Sequence, residues 1–269
     1  MTDWHRHDVN GIEVLERPGA GAALVLLHGI GSRAASFTSL LSELAPETRV
    51  IAWNAPGYGA SRPLSEPWPE ANDYAAALLG VFDALGLVEV TLVGHSLGTL
   101  TGAAFAARHR DRVARLVLAS PALGHGVPRG AALSQAAQAR IDDLERMGPV
   151  AFAKARAPRL VHAPQANPEL VAQVTDGMSA VTMPGYGQAA RMLASGRLLD
   201  DIERLAVATD VVVGAEDVVT PPDGAFRAYG AVPPRHRGRY ILVPGAGHAL
   251  YQQAPAAFAA MLEDQTETA

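Results

Sequence analysis

Apolar residues in this chain fall into short unbroken runs, separated by longer stretches where they recur every three or four positions. Ala23–Leu27, Val50–Trp53, Val90–Val93, Val113–Ala119, Asp210–Val213 and Arg239–Val243 are runs of the first kind. Their length and richness in Val, Ile and Leu predict strands buried on both faces. Ala34–Leu44 with Ser32 as cap, Asp73–Leu85 closed by Gly86, the Ala-rich stretch after Gly98, Asp223–Tyr229 and a last stretch from Pro255 predict helices. Residues 2–17 hold two short alternating runs broken at Asn10-Gly11, a hairpin signal. Strands alternating with helices predict an α/β fold with a mostly parallel sheet and helices on both faces.

The alternation stops at Ser120-Pro121 and resumes near residue 200. Residues 124–199 hold no strand pattern, only helical stretches near 131–147, 168–182 and 186–195. The expected organisation is therefore a core of 1–123 and 200–269, interrupted by a helical cap, 124–199. An insertion that leaves and re-enters at neighbouring strands lies over one edge of the sheet.

Composition narrows the function. The chain has 269 residues, 49% of them hydrophobic, enough for a sizeable core. A net charge of −5 leaves no footprint for nucleic acid. With no cysteine, disulfides, thiolate catalysis and Cys-ligated metals are excluded. The first residues show no apolar leader, and no apolar run approaches 18 residues, so neither secretion nor a membrane span is expected, and the cytoplasm is the default. Oligomeric state is left open, a homo-oligomer included.

Candidate chemistry centres on Gly94-His95-Ser96-Leu97-Gly98, set between a predicted strand and a predicted helix. A strand–turn–helix with small residues flanking a serine exposes that hydroxyl above the sheet edge, next to the free N–H groups of the helix start. A serine hydroxyl is a weak nucleophile and needs a base, and the base needs a carboxylate to orient it. In parallel sheets such groups sit just after strands. Asp217 follows the strand ending at Val213, and His248 follows the one ending at Val243. Glu216 should point away, Asp210 lies at the wrong end of its strand, and Asp223 reads as a helix cap. His28 and His95 flank active loops, while His125 and His162 belong to the cap. Two backbone donors are needed for a developing oxyanion. Leu97 N–H is one, and Ile30 N–H, in His28-Gly29-Ile30-Gly31, is the other.

Together with Pro56-Gly57-Tyr58-Gly59-Ala60-Ser61, these segments resemble the α/β-hydrolase superfamily. The resemblance implies a serine hydrolase with a Ser96–His248–Asp217 triad and a helical lid, working without metal or organic cofactor. Relatives with an Asp nucleophile are disfavoured by Ser96. Carbon–carbon bond hydrolases usually carry Asn before the serine and Trp after the histidine, where this chain has His95 and Ala249. Esterases, enol-lactone hydrolases and cofactor-free haloperoxidase-like enzymes fit better. Asn54 stands where many relatives carry Asp and is expected to organise its loop. The expected partner is a small ester or lactone. The alternatives are cleavage of a ring-cleavage diketone by the same triad, and a non-catalytic ligand receptor.

For the substrate pocket, the residues singled out are His95, Met178, Met183, Tyr186, Arg191 and Met192. The cap carries eight basic and five acidic residues, +3 against −8 for the rest of the chain. Such charges on amphipathic helices ordinarily face water, the preferred reading. A cap that attracts an anionic substrate is the alternative. Which one holds turns on whether an arginine such as Arg156 or Arg191 points toward Ser96.

Overall fold

A computed structural model of the protein describes residues 4–263. Residues 2 and 3 of the expected hairpin lie outside that range. The strands are β1 (His5–Val9), β2 (Ile12–Arg17), β3 (Ala20–Leu27), β4 (Thr48–Trp53), β5 (Val90–His95), β6 (Val113–Ala119), β7 (Ala208–Gly214) and β8 (Arg237–Val243). They form one sheet in the order β1-β2-β4-β3-β5-β6-β7-β8. β1 and β2 are antiparallel, and all pairs from β4 to β8 are parallel. The hairpin turn has positive φ at Asn10 (56°) and Gly11 (84°), the twist a two-residue connection requires.

The first five helices are α1 (Thr38–Leu41), α2 (Ala71–Ala84), α3 (Leu97–Arg108), α4 (Gln135–Arg156) and α5 (Pro168–Ser179). They are followed by α6 (Gly185–Ser195), α7 (Leu198–Ile202), α8 (Pro222–Ala231), α9 (Leu250–Gln253) and α10 (Pro255–Glu263). Side chains alternate between the sheet faces: Val25, Leu27, Leu92 and Val211 join one buried cluster, Leu24, Leu26, Val93 and Val212 the other. Helix α3 is buried from Leu97 to Ala106, which explains its Ala and Gly content: a helix packed on all sides leaves little room for side chains. No helix among the described residues is long and apolar enough to cross a membrane.

Three local expectations change. The helix expected over 34–44 is a 3-10 turn, Ala34–Phe37, followed by the single turn of α1. Ser32 does not cap it; its hydroxyl lies 3.1 Å from that of Tyr251. The stretch expected to end at 147 does leave helical geometry at Gly148 (φ 74°, ψ 162°), but a second helical segment starts at Pro149 and runs to Arg156. Pro suits a first helical turn, so Gly-Pro here marks a kink rather than an end.

Helices α4 to α6 lie between β6 and β7 in sequence and share a buried cluster with the sheet: Leu144, Phe152 and Met178 pack in the same assembly as Leu97 and Val213. At the opposite strand ends, Asp210 bridges Arg115 and Arg239. Burial would raise its pKa, but the Arg239 N–H and the two guanidinium groups hold it below the usual carboxylate range. Its role there is to tie β6, β7 and β8 together.

Candidate active site

The loops after β3, β4, β5, β6, β7 and β8 gather at one edge of the sheet, as parallel strands dictate. At the end of β5, Ser96 adopts φ 50° and ψ −114°, a region costly for a residue with a side chain. The surroundings impose it. A Cβ on Gly94 would lie 2.5 Å from the Gly98 carbonyl oxygen, and one on Gly98 would collide with the Leu27 carbonyl. Only glycine lets β3, β5 and α3 approach this closely. The Ser96 N–H donates to the Ala119 carbonyl (2.9 Å), which ties the turn to β6.

The structure brings Asp217 and His248 together. His248 Nδ1 lies 2.9 Å from Asp217 Oδ2, with both side chains buried. The second carboxylate oxygen accepts the Val219 and Thr220 N–H groups at 2.8 and 2.9 Å. Burial alone would raise the Asp217 pKa; the bonds from His248 and these N–H groups win and hold it at about 2. An ionised Asp217 accepts the Nδ1 proton, which leaves Nε2 with the lone pair. Of the rival acids, Asp223 sits in the first turn of α8 behind Pro222, not at its cap. Glu216 does not line the cavity beside Ser96, and its Oε2 is buried without a hydrogen-bond partner.

Ser96, His248 and Ile30 line one cavity of about 450 Å³, large enough for a small organic ligand. Among the described residues, neither the Ile30 nor the Leu97 backbone N–H donates to a protein acceptor. His28 fixes the loop that carries Ile30. Its Nδ1 donates to the Gly29 carbonyl (2.9 Å) and its Nε2 accepts the Ala55 N–H (3.0 Å). Burial lowers its pKa to about 4, so the ring is neutral as both bonds require. Asn54 accepts the Ala34 N–H (2.8 Å) and donates to Glu13 (2.6 Å), so it links the loops after β3 and β4 to the hairpin.

The pocket residues divide. Met178 and Tyr186 line the cavity. His95, Met183, Arg191 and Met192 do not. His95 lies behind the cavity, and its Nε2 donates to the His248 carbonyl at 2.8 Å. Burial and the neighbouring His248 lower its pKa to about 3. Met183 is turned outward, 37% exposed. Arg191 offers its carbonyl to the Trp68 indole N–H, and Met192 is buried against Thr101 of α3. Six positions apart on one helix, Tyr186 and Met192 lie on faces about 120° apart; spacing alone did not say which face the cavity takes.

One group escaped the sequence reading, and another was weighed there but not preferred. Thr220 Oγ1 lies 3.0 Å from Asp217 Oδ2, 3.2 Å from His248 Nδ1 and 3.0 Å from the Ser120 carbonyl. Its signal was present: an Asp followed three residues on by Thr forms a local turn in which the carboxylate caps two N–H groups. The other group is basic. Arg140, Arg156, Arg159 and His125 line the cavity, so part of the cap's charge faces inward and the preferred reading, in which it faces water, does not hold for them.

The chain belongs to the Alpha/beta hydrolase family, whose profile matches residues 24–261. It is similar to 3-oxoadipate enol-lactonase 2 of Acinetobacter baylyi, 24% identical over 207 residues that cover 76% of this chain and 75% of the relative. It is 39% identical to 2-hydroxy-6-oxo-2,4-heptadienoate hydrolase of Pseudomonas putida over 112 residues, 40% of this chain and 41% of that one. Among solved structures, a thermophilic esterase from Thermogutta terrifontis with malate bound superposes with a TM-score of 0.82 at 25% identity, covering 97% of this chain and 96% of that one.

Proposed function

We propose that the protein is a serine hydrolase that cleaves a small carboxylic ester or lactone through an acyl-enzyme on Ser96. One observation carries the reading: a serine held in a strained turn shares a cavity with a histidine whose far nitrogen is bonded to a buried, ionised aspartate. In this reading His248 Nε2 takes the Ser96 proton as Oγ attacks the carbonyl carbon. The tetrahedral oxyanion is met by the Ile30 and Leu97 N–H groups, which have no acceptor among the described residues. His248 then protonates the leaving oxygen. Water, deprotonated by His248, attacks the acyl carbon; as the C–O bond to Ser96 breaks, His248 returns that proton to Ser96 Oγ and the acid is released. Asp217 keeps the imidazole in the required tautomer and stabilises its charged form. Residues 124–199 act as the lid, and the cytoplasm is the proposed compartment on the sequence reading alone.

The test is Ser96→Ala against wild type. A fluorophosphonate probe should label the wild type at Ser96 and leave the variant unlabelled, and simple ester turnover should fall by about 10⁴-fold or more with folding intact. Retained turnover in the variant would remove the acyl-enzyme. A wild type that neither labels nor turns over esters would favour a receptor. Cleavage of carbon–carbon bonds is the second reading, supported by the similarity to the heptadienoate hydrolase. His95 and Ala249 stand against it. Both are buried, and the Ala249 N–H is bonded to the Leu160 carbonyl, so neither faces the cavity.

A further inference from the structure

The charge that lines the cavity is of one sign. Arg140, Arg156 and Arg159 reach it from α4 and from the 3-10 turn that follows, and among the described residues no Asp or Glu lines it. Arg156 is fixed in place: its guanidinium lies over the Phe152 ring at 4.7 Å and 3.3 Å from Asp143 Oδ2. Asp143 also serves Arg146 at 2.7 Å, so one carboxylate is shared by two cations and does not neutralise both. Arg140 borders the buried Tyr186 hydroxyl, and no ion pair is formed by Arg140 or Arg159 among the described residues.

Guanidinium groups that border a cavity with apolar walls and are unpaired, or share one carboxylate with another cation, retain donors that water serves only in part. Planar, forked N–H donors match a carboxylate, and the match is stronger where solvent is partly excluded. Leu123, Leu160 and Met178 supply apolar surface in the same cavity as this cationic wall and Ser96.

We infer that the substrate is an anionic ester or lactone, whose carboxylate, remote from the scissile carbonyl, is held by Arg140 and Arg156 with Arg159 at the rim. This inference rests on the serine-hydrolase reading and names its substrate class. The two arginines orient the chain of the substrate so that its carbonyl lies at Ser96. They take no part in bond making.

The experiment compares matched pairs in which only the charge differs. Monomethyl adipate against methyl hexanoate places the carboxylate on the acid part; 6-acetoxyhexanoate against hexyl acetate places it on the alcohol part. We expect the acidic member of at least one pair to have a kcat/KM at least about tenfold above its neutral partner, mostly through KM, the scale of one charge-assisted hydrogen bond. In Arg140→Gln and in Arg156→Gln that ratio should fall toward one. A ratio within one protein does not depend on the folded fraction, and Arg140, outside the Asp143 pairing, guards against a cap loosened by Arg156→Gln. Neutral members hydrolysed as well as acidic ones in both pairs would overturn the inference and leave the hydrolase reading standing. If no ester in either pair is hydrolysed, the hydrolase reading has failed instead. The cationic wall is then judged by calorimetric titration with adipate: saturable binding weakened about tenfold by Arg140→Gln supports it, and no binding overturns it.

Discussion

Around Ser96 the backbone does the positioning; in the helical wall from 135 to 195 the side chains do. The turn at Gly94–Gly98 is dictated by contacts between main-chain atoms, and His28, Asn54 and His95 are locked by bonds to loop backbone. The cap is held in the same way where it meets the core, as at the close backbone approach of Gly57 and Gly185 and at the Ala249 N–H on the Leu160 carbonyl, but the side chains along its helices are not. Its helices are amphipathic, and Lys154 and Arg156, two residues apart on one segment, face solvent and the cavity respectively. The candidate catalytic residues are thus held by a framework with few alternatives, and the cavity wall from the cap by a surface that tolerates many. This explains how relatives named as an enol-lactonase and an esterase can share one scaffold.

That contrast can be broken at several points. The largest effect is expected for Asp217→Asn, which should lower ester kcat by about 10⁴-fold with the fold retained, because the His248 tautomer is then set wrongly. Steady-state kinetics with a circular dichroism check decide it. Gly98→Ala follows: its Cβ meets the Leu27 and His28 carbonyls, and we expect a loss of about 3 kcal/mol in urea unfolding. A neutral result would show that the framework is softer than argued.

The buried histidines give a pH signature. His28 and His95 are neutral in the fold, with pKa values lowered from 6.5 to about 4 and about 3. Below pH 6.5 the unfolded chain takes up protons that the folded chain refuses, so stability falls as pH drops. Between pH 7 and pH 5 each should remove about 2 kcal/mol, and the loss should shrink in His28→Gln. Denaturant titrations at the two pH values measure it; a flat profile would sink the assignment of both rings as buried and neutral.

Thr220→Val should cost about tenfold in kcat, and Thr220→Ser should restore it, if the hydroxyl orients the Asp217–His248 pair. The smallest effect is expected on the outer face of the cap. Lys154→Gln should change stability by less than about 0.5 kcal/mol and turnover not at all. A large effect there would erase the difference between the inner and outer faces of α4.

The eight strands, their mostly parallel sheet and the post-strand positions of Asp217 and His248 could be read from the chain because each rests on local regularity: apolar runs, glycine spacing, and the rule that functional groups follow parallel strands. Ser96, Asp217 and His248 could be picked out for the same reason, whereas of the residues singled out for a pocket only Met178 and Tyr186 line the cavity. His95 was misplaced because a neighbour of the nucleophile in sequence points to the opposite side of the strand end, under His248. Met192 was misplaced because an apolar residue on a cap helix suits a cavity and a core equally.

The sequence by itself determined the sheet, the turn that strains Ser96 and the acid and base that can serve it, since these depend on what neighbouring residues permit. Only the tertiary structure decided which way the cap's arginines turn. The Gly148–Pro149 kink redirects α4 so that its second segment brings Arg156 to the cavity, and helical spacing cannot foresee the direction of a kink between two amphipathic segments.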